Sequence, residues 1–361
     1  MKVLLLSKYS RMGASTRLRA LQYLPYLESD GVQVKVQTLF DDQYLESLYQ
    51  GRGRSHWLTL KRYIARFLVL FQVGKYDVIW IEKEIFPFLP ATVERLLKVL
   101  GIPYVVDYDD AIFHNYDLSK NVFVRALLGS KIDIVMRYAH CVVAGNNYLA
   151  QRAANAGASS IEVVPTVVDY LRYSGEASQR NRKLTIGWIG SPSTEKYVVQ
   201  IRDALREACE TYDARLVLMG AGAGVLSEFE GVDIELHPWS EDAETGFIQL
   251  LDIGIMPLVD GDWEKGKCGY KLIQYMACGV PVIASPVGVN VDIVEGNQCG
   301  MLAVDLSDWR DCLGKLLSDE KLRSSYGRNG RHAVEQTFSL QIQAPRIRDI
   351  LGRAGESLDH A

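Results

Sequence analysis

Short runs rich in β-branched and aliphatic residues recur along this chain of 361 residues, each separated from the next by a stretch of helical character. Val3 to Leu6, Val34 to Leu39, Val78 to Ile81, Tyr104 to Val106, Cys141 to Ala144 and Ile161 to Val164 make one series. Leu184 to Ile189, Arg215 to Met219, Val232 to Leu236, Ile253 to Met256, Val280 to Ala284 and Gly300 to Val304 make a second. Strands that alternate with helices pair in parallel, because a helix is what carries the chain back to start the next strand beside the last. The expectation is two α/β domains in tandem, each with its own core. Between the series, Tyr170 to Lys183 turns polar and charged around Ser174, Gly175 and Ser178, which reads as a linker. The expected domains are 1–169 and 184–337, with 338–361 as a tail whose Ser339 to Gly352 portion is helical.

Composition narrows the function. Hydrophobic residues make up 48% and charged residues 23%, as in a globular protein. Val3 to Leu6 is too short for a signal peptide and the longest apolar window, Ile64 to Val73, falls far short of the roughly 20 residues that span a bilayer. A cytoplasmic location is expected, with peripheral attachment at the inner face of a membrane as an addition. The six cysteines show no C-x-x-C pair and no metal-ligand spacing, so neither a disulfide framework nor a metal site is expected. Charge is unevenly divided, with 20 basic against 15 acidic residues up to Val167 and 20 against 29 after it. A basic first half suits an acidic acceptor or an anionic membrane surface, whereas nucleic acid would call for a denser patch.

The richest stretch runs from Lys267 to Asn290. A glycine loop with two lysines opens a short helix carrying Leu272, Ile273, Tyr275 and Met276, Cys278-Gly279 ends it, and Pro281 to Ala284 is a buried strand. Free N–H groups and the dipole at the start of such a helix favour phosphate. Gln274-Tyr275-Met276-Ala277-Cys278-Gly279-Val280-Pro281-Val282-Ile283-Ala284-Ser285 resembles the "E-A-M-A-C-G-x-P-V-V-A-S" segment of the retaining family 4 (group 1) glycosyltransferases of GT-B fold. The resemblance implies two Rossmann-like domains facing across a cleft, with a C-terminal helix crossing back to the first. It implies transfer of a sugar from a nucleotide-diphosphate sugar to an acceptor hydroxyl, with retention, without metal or cofactor. The acceptor would be a glycan or lipid-linked molecule, within envelope polysaccharide or glycolipid synthesis. A GT-B sugar-nucleotide epimerase, or a non-catalytic protein that binds a nucleotide sugar, are the alternatives.

In parallel sheets ligands sit at the carboxyl ends of the strands, so the loops there carry the site residues. The loop after the first strand offers Gly13 and Arg17, which fit ligand contact and plain helix capping equally. Asp107-Tyr108-Asp109-Asp110 ends the fourth strand; one Asp is explained as a helix cap, three are not, and Asp107 and Asp110 are the catalytic candidates. The D-x-D match to the GT-A fold is discounted, since that fold has no second Rossmann-like half. In the second domain Gly190 and Ser191 follow the first strand, and Lys196 matches the lysine that binds the donor diphosphate in relatives. Gly220 to Gly224 lacks the last glycine of a dinucleotide fingerprint, because position 225 is Val. Trp239 stands where relatives cradle the nucleobase, or else is a core tryptophan. The resemblance also carries a gap. Relatives have Glu-x7-Glu, whereas this chain has Gly266 and Gln274 at those places, with Asp260, Asp262 or Glu264 as substitutes for the first. Lys267 and Lys271 complete the donor-binding candidates.

Arg52 to Leu68 mixes arginines and lysines with Trp57, Leu60, Tyr63, Ile64, Phe67 and Leu68. As a helix it fits a membrane interface near a lipid-linked acceptor. A helix buried in the first domain with a charged outer face fits the same residues slightly better.

Overall fold

Among the described residues twelve strands pair in parallel and form two sheets of six. The structure, a computed structural model, describes residues 1–49, 56–173 and 183–356. Residues 174–182 of the expected linker, 52–55 of the basic-aromatic segment and 357–361 of the tail lie outside the described residues. The chain packs as two compact units: Met1–Thr166 with Gly266–Cys268 and the chain from Gln343, and Val167–Lys265 with Gly269–Ile342.

In the first unit the strands are β1 (Lys2–Tyr9), β2 (Gln33–Phe40), β3 (Val78–Glu82), β4 (Tyr104–Tyr108), β5 (Cys141–Ala144) and β6 (Ile161–Val163). Their order is β2-β1-β3-β4-β5-β6. In the second they are β7 (Thr185–Ile189), β8 (Arg215–Met219), β9 (Ile234–His237), β10 (Ile253–Met256), β11 (Val282–Ala284) and β12 (Gly300–Leu302), ordered β12-β11-β10-β7-β8-β9. Each series contains one point at which the strand order reverses, between β1 and β3 and between β7 and β10. Those reversals open a crevice above the sheet where helices leave in opposite directions.

Both faces of the second sheet are buried, and the two-residue period of the strands deals them out. Trp188, Leu216, Leu218, Ile253, Ile255 and Ile283 enter one apolar cluster. Ile189, Val217, Met219, Met256, Val282 and Ala284 enter the other. Each Val, Leu, Ile and Met among them contributes about 1.5–3 kcal/mol by leaving water. Tyr275 then braces the reversal: its hydroxyl accepts from Ile189 N at 3.0 Å and donates to Ile255 O at 3.4 Å, tying the ends of β7 and β10 together.

Candidate functional site

The carboxyl edge of the second sheet collects most of the residues singled out from the sequence. After β7, Gly190 lies against the Trp188 ring, where a Cβ would come within 2.2 Å of the indole. Ser191 folds the loop back, its hydroxyl 3.0 Å from that of Ser193 and its N–H donating to Thr194 Oγ1 at 3.2 Å. Lys196 begins the helix Lys196–Gln200 and is exposed; its ammonium lies 5.0 Å from the centre of the Tyr197 ring and has no carboxylate partner among the described residues. Beside it, Glu195 accepts from Gly222 N at 2.6 Å, which fixes the glycine turn after β8. No sequence signal marked Glu195 for this.

Trp239, beyond the end of β9, is 38% exposed, so it is not a core tryptophan. Its indole N–H donates to Glu244 Oε1 at 2.8 Å. The other oxygen of that buried carboxylate accepts from the Gln274 amide at 3.2 Å, and the same amide donates to Tyr173 Oη at 3.2 Å. Gln274 is therefore corrected from a ribose ligand to a buried member of the Trp239–Glu244–Gln274–Tyr173 chain. A neutral amide suits that place, because a second carboxylate would face Glu244 in a buried setting. The helix Tyr270–Ala277 begins after Gly269, whose φ of 66° is the left-handed conformation open to glycine. On its first turn Lys271 holds its ammonium 5.3 Å from the centre of the Trp188 ring.

The first unit arranges its strand ends differently. Asp107 is 2% exposed and receives Arg19 in a two-bond fork, Nε to Oδ1 at 2.8 Å and Nη2 to Oδ2 at 3.1 Å. Arg19 also donates to Val164 O at 2.8 Å. Burial lifts the Asp107 carboxyl to about 6 and Arg19 pulls it the other way. Asp107 is thus corrected from a catalytic residue to one arm of a buried ion pair, since a reacting group needs access that this one lacks. Lys83, with a strained φ of 67°, directs its ammonium to Asp109 at 2.8 Å and to Ser15 Oγ at 2.9 Å. Burial opposes the charge of Asp109, but Lys83 overrides it and holds the carboxyl below its ordinary range.

Asp110 keeps 27% of its side chain exposed, with Lys267 at 3.7 Å and Lys83 at 3.9 Å. Burial, and then the charge of Asp109, push its pKa upward. Lys267 belongs with this group because Gly266–Cys268 pack with the first unit, held by Asn146, whose amide donates to Gly266 O at 3.0 Å and Lys267 O at 2.9 Å. Gly266 is a packing glycine, a correction to its place among the donor contacts: a Cβ there would meet the Ala111 nitrogen at 2.5 Å. The substitutes proposed for it are committed elsewhere. Glu264 is buried and accepts from the Tyr197 hydroxyl, while Asp260 and Asp262 are exposed beside Lys265. Gly13 packs onto Tyr9 as the cap of the helix Ala14–Arg19, and Arg17 is buried with its guanidinium on Arg11 O at 3.2 Å. Neither presents a ligand-seeking group. Arg19 and Lys83 were missed; the only trace in the sequence is the charged run Glu82-Lys83-Glu84 closing an apolar strand.

Comparison with known proteins agrees with this architecture. Residues 183–319 match the family described as glycosyl transferases group 1. Over 223 residues the chain is 26% identical to D-inositol 3-phosphate glycosyltransferase of Corynebacterium jeikeium (strain K411), covering 54% of this chain and 52% of that protein. The chain therefore spans about half the length of this curated relative. Among solved structures, Anabaena Alr3699/HepE in complex with UDP and glucose superposes with a TM-score of 0.70 at 15% identity, over 98% of this chain and 99% of that one. WaaG, a glycosyltransferase involved in lipopolysaccharide biosynthesis, gives 0.70 at 14% identity over 97% and 99%. The chain has the GT-B glycosyltransferase fold. Its residues 183–319 are similar to the family of glycosyl transferases group 1.

Proposed function

We propose that the chain transfers a sugar from a nucleotide-diphosphate sugar to a hydroxyl of a glycan or lipid-linked acceptor, with retention of anomeric configuration and without a metal or other cofactor. The observation that carries this reading is the second sheet's carboxyl edge inside the group 1 domain: a glycine turn at Gly190, an uncommitted cation at Lys196, a half-exposed indole at Trp239 and Lys271 on the first turn of a helix. Trp239 offers a flat face to the nucleobase. Lys196 and Lys271 meet the diphosphate, whose charge grows as its bond to the sugar C1 breaks, so they stabilise the transition state more than the ground state. In the first unit Asp110 receives the acceptor hydroxyl, being the most exposed of the strand-end carboxylates Asp107, Asp109 and Asp110. Retention and metal independence enter with the family resemblance; the anomeric configuration of the product and activity in a chelator test them.

Location belongs to the same proposal. Among the described residues no helix is long and apolar enough to cross a membrane. We assign the helix His56–Leu70 to peripheral contact with the inner membrane face, near a lipid-linked acceptor. The reading of this helix as buried with a charged outer face is overturned. Arg66 is buried against Gln37, Ser7 O and Ile85 O and Arg62 pairs with Asp41 at the surface, while Trp57, Leu60, Ile64, Phe67 and Leu68 lie exposed.

A panel of nucleotide sugars, led by UDP-sugars, tests the activity by melting temperature and by released nucleotide together. Stabilisation with turnover supports transfer; an epimerised donor sugar supports the epimerase; stabilisation without turnover supports a non-catalytic binder.

A further inference from the structure

A cavity of about 600 Å³, a volume suited to a small molecule, lies wholly within the second unit. One wall is the helix Glu320–Gln336. It lines the cavity with two rows of residues four apart, Ser324–Arg328–His332 and Gly327–Arg331–Glu335, which share one helix face. The other wall is the C-terminal end of the helix Tyr270–Ala277, with Cys278, Gly279 and Tyr173. The walls meet closely at one point, where a Cβ on Gly327 would stand 2.0 Å from Gly279 O. Arg331 fastens them together, donating to Ala277 O, to Tyr173 O at 3.4 Å and to Glu335 Oε1 at 2.7 Å. It thereby answers both the carbonyl end of the helix Tyr270–Ala277 and the only acid among the lining residues.

Two lining groups are left over. Arg328 and His332 are exposed on adjacent turns, and neither has a hydrogen-bond or carboxylate partner among the described residues. The guanidinium fork of Arg328 takes two oxygens of an oxyanion. A phosphate monoester keeps a third oxygen for the His332 N–H, whereas a carboxylate has no third oxygen to give. Ser324, one turn from Arg328, offers its hydroxyl to the body of the ligand. Burial pushes the Cys278 thiol up to about 12, so it stays protonated and the cavity takes its ligand without a covalent bond. Tyr173 connects this place to the donor edge. Its carbonyl takes Arg331, and its hydroxyl receives the Gln274 amide at the end of the buried chain through Glu244 to Trp239. The cavity and Lys271 stand at opposite ends of an eight-residue helix about 12 Å long, so the two sites are distinct.

We infer that this cavity is an effector site for the phosphate monoester of a sugar or similar polyol, coupled to the donor edge through Tyr173 and Gln274. The coupling rests on the donor site proposed above; the binding does not. A ligand held by Arg328 and His332 adds order to the wall that Arg331 fastens to Tyr173, and so steadies the chain that holds Trp239. Filling the cavity therefore tightens donor binding, and donor binding tightens the cavity by the same factor.

Calorimetry with glucose 6-phosphate, inorganic phosphate and glucose tests the site on the wild type, Arg328→Ala/His332→Ala and Lys196→Ala, with a melting temperature to check that each variant folds. Glucose 6-phosphate should bind the wild type and Lys196→Ala alike, more tightly than either other probe, and about tenfold or more weakly in Arg328→Ala/His332→Ala. Binding that is lost in Lys196→Ala, or unchanged in Arg328→Ala/His332→Ala, puts the ligand elsewhere and overturns the cavity. No binding to the wild type, or equal binding of glucose, overturns it as well, and equal binding of inorganic phosphate overturns the polyol. For the coupling, saturating glucose 6-phosphate should tighten the best-binding nucleotide sugar about fivefold or more. Tyr173→Phe, which keeps the carbonyl contact, should still bind glucose 6-phosphate but lose that gain. A gain kept in Tyr173→Phe overturns the route, and no gain in the wild type overturns the effector role. If no nucleotide sugar binds, the donor site and the coupling fall together, while glucose 6-phosphate alone still decides the cavity.

Discussion

The two sheets share strand number and parallel pairing, yet their carboxyl edges are built from opposite materials. In the first unit the edge is filled with charge, and most of it is already spent: Arg19 on Asp107, Lys83 on Asp109, Lys131 on Glu84. In the second the edge is made of glycine turns, hydroxyls, a half-exposed indole and the unspent cation of Lys196. Paired buried charges give a fixed, self-satisfied platform, since each partner's removal would strand the other. An edge of small residues and open donors is cheap to fill with a ligand that brings its own charge. Asp110, 27% exposed, is the exception on the charged side, and the proposed chemistry rests on it.

The sharpest way to break this contrast is to neutralise the two kinds of carboxylate in the first unit. Asp110→Asn should lower kcat by about 10²–10⁴-fold with the melting temperature kept, as steady-state kinetics beside a thermal melt will show. Asp107→Ala should instead cost about 3–5 kcal/mol in urea denaturation, because it leaves Arg19 buried and unpaired. If the two effects were exchanged, the assignment of Asp107 to structure and Asp110 to chemistry would fall. Next in size, Gly266→Glu, which restores the residue of the resembling family, should destabilise by about 1–3 kcal/mol without raising activity, since its Cβ has no room against Ala111. A gain in turnover would contradict the packing role of that glycine.

Smaller effects probe the open edge. Lys196→Ala should weaken donor binding about tenfold by calorimetry and leave stability unchanged, consistent with one exposed cation facing phosphate. The pH dependence is the finest test. As the proposed base, Asp110 must be ionised to take a proton, and burial and the charge of Asp109 raise its pKa, so activity should fall as pH drops through a value above the ordinary aspartate range. In Asp110→Asn that acid limb should vanish from the residual rate; an unchanged limb would place the titrating group elsewhere.

Much of the fold was legible because periodicity and length are local. Each of the twelve expected runs is a strand in the structure, off by at most a few residues at its ends, as at β1, which runs on to Tyr9, and β11, which starts at Val282. The site was legible only in part. Trp239 and Lys196 are open, as their positions after strands suggested, but Asp107 and Gln274 turned out to be committed to partners far away in sequence. Arg19 and Asp107 are separated by 88 positions, and Gln274 and Glu244 by 30. No spacing rule reaches that far, so whether a polar side chain serves a ligand or its neighbours is decided by tertiary packing. The helix His56–Leu70 was misread for a related reason: its residue pattern shows two faces, but which face turns outward depends on Gln37, Ser7 and Ile85, which receive the buried Arg66.

The central claim is that the second sheet's edge holds the donor. Hydrogen exchange with and without the nucleotide sugar that most stabilises the protein measures this directly. The account predicts slowed exchange at Gly190 to Lys196, around Trp239 and over Tyr270 to Gln274, with β8 and the outer helices of the same unit unaffected. Protection confined to the first unit, or none at Gly190 to Lys196, would contradict it.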